Sequence, residues 1–255
     1  MYQYSTANFS LEFKSLVIME NQAIKSNFPI EKYKSSTRLG IGAYGTVTLY
    51  EIKEHYSTDL PPKVAVKVIT SPKAFEHEIN QLAKLNHQHL IKLHGQCQIE
   101  NKLLYGPGTK NAMVLKYYEI DLEAFRRERT AISLEETRTI LFQVALALNY
   151  LWSKNIIHRD VKPTNILINT NDSNEIHAAL ADLGVSRKPP KAETCTMTST
   201  GTPSWMAPEV HEAKPRYGHS SDVFSFGLTL FFTYFGKPPM DGTSNEGKNV
   251  PHYIV

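Results

Sequence analysis

The hydrophobic pattern of this chain changes its period near residues 116–121, and no other feature constrains the fold as strongly. Before that point, runs rich in β-branched residues, such as 46–50 and 63–69, are typical of strands. After it, a capping box at Ser133 and Glu136 precedes apolar residues at helical spacing. The sequence therefore predicts an α+β chain, with a small β-rich half joined to a larger helical half. A cleft between two such halves is a natural ligand site.

Local signals place further elements in both halves. Ser71 followed by Pro72 is typical of a helix start, with an N-cap and a proline at the first helical position. Short apolar runs predict strands at residues 90–93 and 112–117. Residues 223–235 are the longest apolar stretch and predict a buried helix. That stretch is shorter than the roughly 20 residues that span a bilayer, so no membrane segment is expected.

Composition and charge exclude several classes of protein. Hydrophobic residues make up 41% and charged residues 21%, as in an ordinary globular protein. The net charge of +3 is spread along the chain, so no nucleic-acid partner is expected. Cys97 and Cys195, the only cysteines, have no short spacing. They argue against a disulfide framework and favour a reducing compartment, which predicts a cytoplasmic location.

Gly40, Gly42 and Gly45 have the spacing G-x-G-x-x-G. Alone, this pattern fits a glycine-rich hairpin as well as a ligand loop. A dinucleotide-binding fold needs a helix after the glycines, whereas a strand-like run follows here. Glycines between two strands let backbone amides lie close over phosphates, since no Cβ intervenes. The pattern therefore predicts a phosphate-covering loop, and the missing G-K-[ST] ending excludes a Walker-type P-loop.

Lys67 and Glu78 are charged residues in apolar surroundings. Lys67 shares one strand face with Ala65, and Glu78 lies within the apolar stripe of the helix that follows Pro72. A lone buried charge is unfavourable, but a pair is tolerated. We therefore predict that the two side chains pair with each other. A lysine that reaches solvent and a glutamate at the helix edge remain the alternative.

Residues 158–165, H-R-D-V-K-P-T-N, are the most specific segment. Asp160 can accept a hydrogen bond from a hydroxyl group, and Lys162 can neutralise charge on a transferring phosphoryl group. Asn165 offers a neutral oxygen to Mg²⁺, and Asp182, followed by Leu-Gly, offers a carboxylate. A polar loop after a core helix, and a turn at Asp182, are the alternatives without chemistry.

These segments, in this order, resemble the motif set of the eukaryotic protein kinase family. Residues 201–209, G-T-P-S-W-M-A-P-E, resemble its substrate-positioning loop, and the resemblance extends from about Tyr33 to about Gly242. It implies a bilobal protein-kinase-like fold, ATP and Mg²⁺ as cofactors, and phosphorylation of serine or threonine in a protein substrate. Lys162 matches the serine/threonine type. The wording W-M-A-P-E is shared by the tyrosine-kinase-like and sterile-type subfamilies, so it does not separate them.

The resemblance also implies roles for individual residues. It makes Asp160 and Lys162 catalytic, and Asn165 and Asp182 the metal ligands. It places the following residues against ATP: Leu39, Gly40, Ile41, Gly42, Ala43, Tyr44, Gly45, Thr46, Val47, Ala65, Lys67, Glu78 and Leu167.

The resemblance further implies regulation by phosphorylation. In the family, an arginine before the catalytic aspartate usually binds a phosphate on the activation loop. Arg159 has that place here, and Thr198 best matches the usual phosphorylated position. A phosphate at Thr198 would add about −1.5 to −2 charge facing Arg159.

Domain boundaries follow from the extent of the resemblance. Residues 1–32 have no clear period and are expected to be an N-terminal extension or a short packing segment. Residues 33–255 are expected to be the kinase domain, with an N-lobe of about 33–116 and a C-lobe of about 117–255.

The C-lobe is expected to be incomplete. The family continues with several helices after the position of Gly242, including an arginine that pairs with Glu209. Without them, the apolar helix at 223–235 lacks cover. We therefore expect either a truncated product or a partner that covers this face. The alternative to an active enzyme is a non-catalytic, pseudokinase-like interaction module. The presence of Lys67, Asp160, Asn165 and Asp182 favours the enzyme.

Overall fold

The structure is a computed structural model with two lobes, a β-sheet N-lobe and a mainly helical C-lobe. It describes residues 27–42, 45–54, 59–100, 102–171, 173, 175–187, 201–210 and 218–237. The predicted α+β bilobal fold is confirmed.

The N-lobe is built on a five-stranded antiparallel sheet in the order β1-β2-β3-β5-β4. Its strands are β1 (Tyr33–Gly42), β2 (Gly45–Ile52), β3 (Lys63–Val68), β4 (Leu93–Ile99) and β5 (Lys110–Lys116). Alternation along β3 sends Val64, Val66 and Val68 into one apolar cluster and Ala65 into the larger core beside the C-lobe. Lys67, two residues after Ala65, therefore faces the C-lobe.

Helix α1 (Pro72–Leu82) connects β3 to β4. Ser71 caps it by accepting a hydrogen bond from the Ala74 amide at 3.4 Å, and Pro72 occupies the first turn, as predicted. The buried face of the helix carries Phe75, Glu78 and Leu82. A second, short helix, α2 (Lys102–Tyr105), lies between β4 and β5.

The C-lobe is organised around one long helix. Its elements are β6 (Ile120–Asp121), α3 (Leu122–Arg127), α4 (Leu134–Ser153), β7 (Ile166–Thr170), β8 (Ile176–Leu180) and α5 (His219–Phe235). Strands β6, β7 and β8 form a small antiparallel sheet. The predicted capping box at Ser133 and Glu136 is present at the start of α4. The apolar stripe of α4 is buried between β8 and α5.

One predicted strand is wrong in its position. Residues 90–93 were expected to be a strand, but β4 begins only at Leu93. Leu90 instead forms a single parallel bridge with Leu180, and the Ile91 amide donates to the Leu180 carbonyl oxygen at 2.9 Å. The residues before β4 therefore satisfy their backbone groups on the C-lobe sheet, which ties the two lobes together.

The residues just before β1 pack against the N-lobe sheet. Phe28 is 2% exposed and contacts the ring of Tyr33, and its amide donates to the Gln96 carbonyl oxygen at 2.8 Å. The end of the expected N-terminal extension thus behaves as a packing segment, from residue 27 onward.

Helix α5 is apolar on most of its surface, as predicted. Phe232 is buried at 7% exposure, whereas Leu230, Tyr234 and Phe235 are 45%, 46% and 54% exposed. The helix ends at Gly236, whose φ of 76° is a left-handed C-cap. None of the helices in the described ranges is long and apolar enough to cross a membrane.

Candidate active site

A cleft of about 850 Å³ separates the two lobes and brings most of the predicted site residues together. Thr46 and Asp160 are described but do not line the cleft; Asp160 instead contacts Lys162, Asn165 and Thr202, which do. Ala43, Tyr44 and Thr198 lie outside the described residues. The predicted residues that line the cleft are Leu39, Gly40, Ile41, Gly45, Val47, Ala65, Lys67, Glu78, Lys162, Asn165, Leu167 and Asp182.

The described glycines of the motif lie in the adjoining ends of β1 and β2. Gly42 pairs with Gly45 and Gly40 with Val47, so a strand follows the glycines and a dinucleotide-binding helix does not. Gly45 has a φ of 131°, and a Cβ there would collide with the Val68 carbonyl oxygen. A Cβ on Gly40 would meet no atom within 4 Å. Gly45 is therefore required by the backbone, whereas the space at Gly40 is open for a ligand.

Lys67 makes the predicted pair with Glu78 and also contacts Asp182. Its Nζ lies 2.7 and 3.0 Å from the two carboxylate oxygens of Glu78, and 3.0 Å from Oδ1 of Asp182. Lys67 is 7% exposed and Glu78 is 2% exposed. One buried ammonium group is thus shared between a helix of the N-lobe and the segment that follows β8. The alternative of a lysine that reaches solvent is excluded.

The three charges shift one another's pKa. Burial by itself would lower the pKa of Lys67, but the carboxylates of Asp182 and Glu78 outweigh it and hold this pKa above its ordinary value. Burial raises the pKa of Glu78 despite the attraction of Lys67. Burial would also raise the pKa of Asp182, but Lys67 and His158 keep it below its ordinary value. Lys67 stays protonated and Asp182 stays ionised at neutral pH.

Asp160 is held in a dense hydrogen-bond network at 4% exposure. Its Oδ2 accepts from Lys162 Nζ at 2.7 Å and from Asn165 Nδ2 at 2.9 Å. Its Oδ1 accepts from the amide and the hydroxyl of Thr202 at 3.1 and 3.0 Å. Asn165 Nδ2 also donates to the Asp160 carbonyl oxygen at 2.8 Å. These contacts fix the orientation of the carboxylate.

Thr202 is a site residue that sequence reasoning missed. Its hydroxyl donates to Asp160 and accepts from Lys162 Nζ at 2.5 Å, so it links the two predicted catalytic residues. The only sequence signal was its place in the segment 201–209, next to Gly201. The contact spans 42 positions along the chain, which no local pattern could reveal.

Helix α5 anchors the loop that carries Asp160. Asp222, 1% exposed in the first turn of α5, accepts hydrogen bonds from the backbone amides of His158 and Arg159 at 2.8 and 2.9 Å. It also accepts from the Trp152 indole at 3.2 Å. Arg159 has a φ of 73°, a left-handed conformation that these bonds support.

The comparison with protein families agrees with this geometry. The family described as protein kinase domain matches residues 33–253 of the chain. The chain belongs to the protein kinase domain family. The match continues past Gly242, where the sequence reading expected the resemblance to end.

Several curated relatives of this kinase domain are named serine/threonine-protein kinases. Serine/threonine-protein kinase 33 of Mus musculus is 31% identical over 85% of this chain and 44% of its own length. Serine/threonine-protein kinase STY46 of Arabidopsis thaliana is 32% identical over 83% of this chain and 35% of its own length. Serine/threonine-protein kinase fused of Drosophila melanogaster is 28% identical over 84% and 25%. The chain therefore spans less than half the length of these relatives.

The oxygens of the kinase cleft suit a magnesium ion that is completed by phosphates. Asn165 donates through Nδ2, so its Oδ1 is left without a hydrogen bond among the described residues. Asp182 accepts hydrogen bonds from Lys67 and Gly184 through Oδ1, so its Oδ2 also has no hydrogen bond among the described residues. The described residues contain no group of three or more His, Cys, Asp or Glu side chains that could hold a metal. In a Mg²⁺ site of this kind, the protein usually supplies one or two oxygens and the nucleotide phosphates supply others.

Arg159 and Glu209, for which the resemblance implied partners, also make contacts among the described residues. Val185 and Arg159 are in contact, since Arg159 Nη1 donates to the Val185 carbonyl oxygen at 3.3 Å. Glu209, for which an arginine partner was expected beyond Gly242, accepts a hydrogen bond from Ser221 Oγ at 3.0 Å. Among the described residues, Glu209 makes no ion pair.

Proposed function

We propose that this chain transfers the terminal phosphoryl group of ATP to serine or threonine hydroxyls of protein substrates. The network around Asp160 carries the proposal. Its carboxylate accepts a hydrogen bond from the Thr202 hydroxyl at 3.0 Å, and Lys162 Nζ contacts both the carboxylate and the hydroxyl. An aliphatic hydroxyl therefore fits between this carboxylate and this ammonium group. A substrate serine or threonine presents the same chemistry.

The predicted site residues have distinct roles in this reaction. Asp160 orients the substrate hydroxyl for in-line attack and accepts its proton, and Lys162 stabilises negative charge on the transferring group. Lys67 neutralises the nucleotide phosphates, and Glu78 holds Lys67 toward them. Val47, Ala65 and Leu167 offer an apolar surface to the adenine ring.

Asn165 and Asp182 would hold Mg²⁺ through their side-chain oxygens. Bound there, the ion supplies positive charge that neutralises the phosphate oxygens during transfer. Asp182 would offer the ion Oδ2, the oxygen that does not contact Lys67. Lys67 keeps Glu78 as its partner, so neither buried carboxylate loses its counter-charge.

A single-turnover assay tests the proposal. The purified chain is mixed with Mg²⁺, radiolabelled ATP and a serine-containing protein substrate such as casein, and phosphoserine is measured. We expect transfer by the parent chain and a loss of several orders of magnitude in Asp160→Asn, with nucleotide affinity nearly unchanged. Equal transfer by the parent and by Asp160→Asn would refute the role of Asp160.

A second candidate function is a non-catalytic interaction module. The exposed apolar side chains of α5 favour it, because Val223, Leu230, Tyr234 and Phe235 are 51%, 45%, 46% and 54% exposed. Such a surface is typical of one that another chain or a further segment covers. Under this proposal a partner binds α5 whether or not ATP is turned over. Normal complex formation by Asp160→Asn, together with an inactive parent chain, would favour this function.

The domain limits are also a proposal. We place the kinase domain at residues 33–255, with the lobes meeting near residues 116 and 117. The packing of Phe28 on Tyr33 supports adding residues 27–32 to the N-lobe unit.

A further inference from the structure

A second cleft, here called the rear cleft, adjoins the segment that joins the two lobes. It encloses about 1120 Å³ and is larger than the nucleotide cleft, at about 850 Å³. The N-lobe contributes the turn after α1 and parts of β4 and β5. The C-lobe contributes Tyr150 and Lys154 at the end of α4, and His177 of β8. The proposed phosphoryl transfer uses none of these C-lobe residues.

The rear cleft is strongly basic. Glu119 is the one acidic residue among the described residues that line it. The nucleotide cleft, in contrast, is lined by equal numbers of basic and acidic residues, and the whole chain has a net charge of only +3. The basic character is therefore local and does not follow from composition. The lining lysines are Lys63, Lys84, Lys92, Lys116 and Lys154.

The lysines act on one another. Burial, together with the charge of Lys92, lowers the pKa of Lys116. Lys63 is partly balanced by Glu51 at 3.6 Å. Lys84 and Lys154 are exposed, one in each lobe. Lys154 Nζ lies 5.5 Å from the centroid of the Tyr150 ring, and Lys84 belongs to the turn whose Asn86 amide donates to the Tyr150 hydroxyl at 3.1 Å. A ligand with negative charges would relieve this like-charge repulsion.

Histidine and tyrosine rings form the part of the rear cleft beside β8. His89 lies 5.7 Å from His87 and 5.2 Å from His177, measured between ring centroids. His87 stacks on Tyr150 at 5.0 Å. The cluster is not a metal site, because the described residues contain no group of such side chains that could hold a metal.

These histidines are neutral at neutral pH. Burial and the neighbouring His89 lower the pKa of His87 to about 4. Burial, Lys116 and His89 lower the pKa of His177 to about 4. The positive charge of the rear cleft therefore comes from the lysines, and the rings offer flat surfaces with N–H groups.

We propose that the rear cleft binds an acidic peptide segment of a partner protein. A single small anion would contact one or two lysines, whereas a peptide can follow the basic residues from the N-lobe to the C-lobe. Half-buried Leu85, Tyr117 and Tyr150 provide apolar contacts between the charges. This combination of basic rim and apolar surface matches a segment that carries both carboxylates and apolar side chains. The proposal does not depend on phosphoryl transfer.

Fluorescence anisotropy tests this binding. The probe is a labelled peptide that alternates glutamate and alanine, and the control probe alternates glutamine and alanine. No ATP or Mg²⁺ is present, so a failed kinase reaction cannot affect the result. We expect the full chain to bind the glutamate peptide, with an affinity that falls as salt is added. Equal binding of both peptides, or no binding of either at low salt, would overturn the proposal.

Charge reversal locates the site. We expect Lys84→Glu combined with Lys154→Glu to weaken binding by about tenfold, since each exposed pair contributes up to about 1 kcal/mol and reversal adds repulsion. The matched control is Lys34→Glu combined with Lys237→Glu, which makes the same net-charge change at exposed positions outside the rear cleft. Equal weakening of peptide binding by both double variants would mean that only the net charge of the chain matters, and would overturn the assignment to the rear cleft. Unchanged nucleotide affinity in both pairs shows that they fold.

Two further measurements separate other ligands. Displacement of the peptide by inorganic phosphate at equal charge concentration would show a small-anion site and overturn the proposal. Displacement by a non-hydrolysable ATP analogue would place the peptide in the nucleotide cleft and also overturn it. In NMR titrations, we expect the bound peptide to raise the pKa of His177 above its value of about 4. An unchanged His177 titration in the complex would show that the peptide does not reach β8.

Discussion

At the scale of single residues, the main constraint is that one lysine serves two carboxylates. Lys67 contacts Glu78 at 2.7 Å and Asp182 at 3.0 Å, and all three are largely removed from solvent. Removing the lysine would leave two carboxylates without a counter-charge. Changing Glu78 would remove the N-lobe partner of Lys67 and leave it with Asp182, which belongs to the C-lobe. The residues are therefore unequal in their expected effects.

We predict that Lys67→Met lowers kcat/KM by on the order of a hundredfold or more, as for the loss of one electrostatic donor at a reacting centre. Glu78→Gln should have a smaller effect, because the amide oxygen still accepts a hydrogen bond from Lys67. Steady-state kinetics of both variants, beside the parent, measure this order. Unchanged activity in Glu78→Ala would show that the pair does not position Lys67.

The histidines of the rear cleft predict a pH dependence of stability. An unfolded histidine takes up a proton near pH 6.5, whereas folded His177 does so only near pH 4. Between these values the unfolded state binds more protons, so the free energy of unfolding falls as the pH drops. We expect His177→Gln to reduce the slope of the unfolding free energy against pH by an amount that corresponds to about one bound proton. Urea unfolding at several pH values from 7 to 4 measures the slope, and identical slopes in parent and variant would contradict the assignment.

The buried Arg159 supports the proposed phosphorylation of Thr198, which itself lies outside the described residues. Arg159 is 6% exposed and joins the Asp160 loop to Val185. A charge-assisted hydrogen bond is worth about 1.5–3 kcal/mol. Thr198→Ala, which lacks the phosphate, should therefore be about tenfold or more less active than the parent enzyme phosphorylated at Thr198. Arg159→Gln should remove the difference between phosphorylated and unphosphorylated forms. Mass spectrometry of active enzyme that finds no phosphate at residues 194–200 would count against this regulation.

At the scale of elements, the decisive contact is that of α5 with the loop before Asp160. Asp222 accepts from two backbone amides and one indole, and it is 1% exposed. Leaving those donors unsatisfied costs about 1–3 kcal/mol each. The orientation of Asp160 thus depends on a helix far along the chain, since the two amide contacts of Asp222 span 64 and 63 positions.

We predict that Asp222→Ala lowers the free energy of unfolding by more than about 3 kcal/mol. Asp222→Asn keeps one acceptor oxygen and should lose less stability but still reduce activity, because one backbone donor is left without its partner. Chemical denaturation and kinetics on the same samples measure both effects. Ser204→Ala, an exposed serine of the 201–209 segment, is the control for stability. A loss in Asp222→Ala no larger than in this control would be inconsistent with an anchoring role.

At the scale of the whole molecule, the two lobes contact each other through backbone groups and through side chains that line the cleft. The bridge of Leu90 to Leu180 and the Lys67 contact with Asp182 both cross between lobes. A nucleotide that contacts both walls would add further links. It would bind the folded chain only, and so stabilise it by mass action.

We predict that Mg²⁺ and ATP raise the melting temperature of the chain. At a hundredfold excess over Kd the gain is about 2.7 kcal/mol, which corresponds to roughly 5–10 °C for a domain of this size. Thermal unfolding followed by circular dichroism, with and without nucleotide, measures the shift. Lys67→Met should show a smaller shift. An unchanged melting temperature in the parent would mean that the cleft does not bind the nucleotide.

The sequence by itself determined the features that depend on neighbouring residues. The caps at Ser71 and Ser133, the strand that follows the glycine motif, and the stripe of α4 follow from patterns within a few positions. The pairing of Lys67 with Glu78 was also predictable, because two buried charges of opposite sign on adjacent elements have few other solutions.

The tertiary structure alone decided the contacts between distant segments. The approach of Asp182 to Lys67 spans 115 positions, and that of Thr202 to Asp160 spans 42. The shift of β4 to Leu93 has the same origin, since Leu90 finds its partner in β8. The basic rear cleft arises because lysines from both lobes converge there. Periodicity shows which face of an element is buried, but it carries no information on which distant element covers that face, and so only the packed chain fixes these distances.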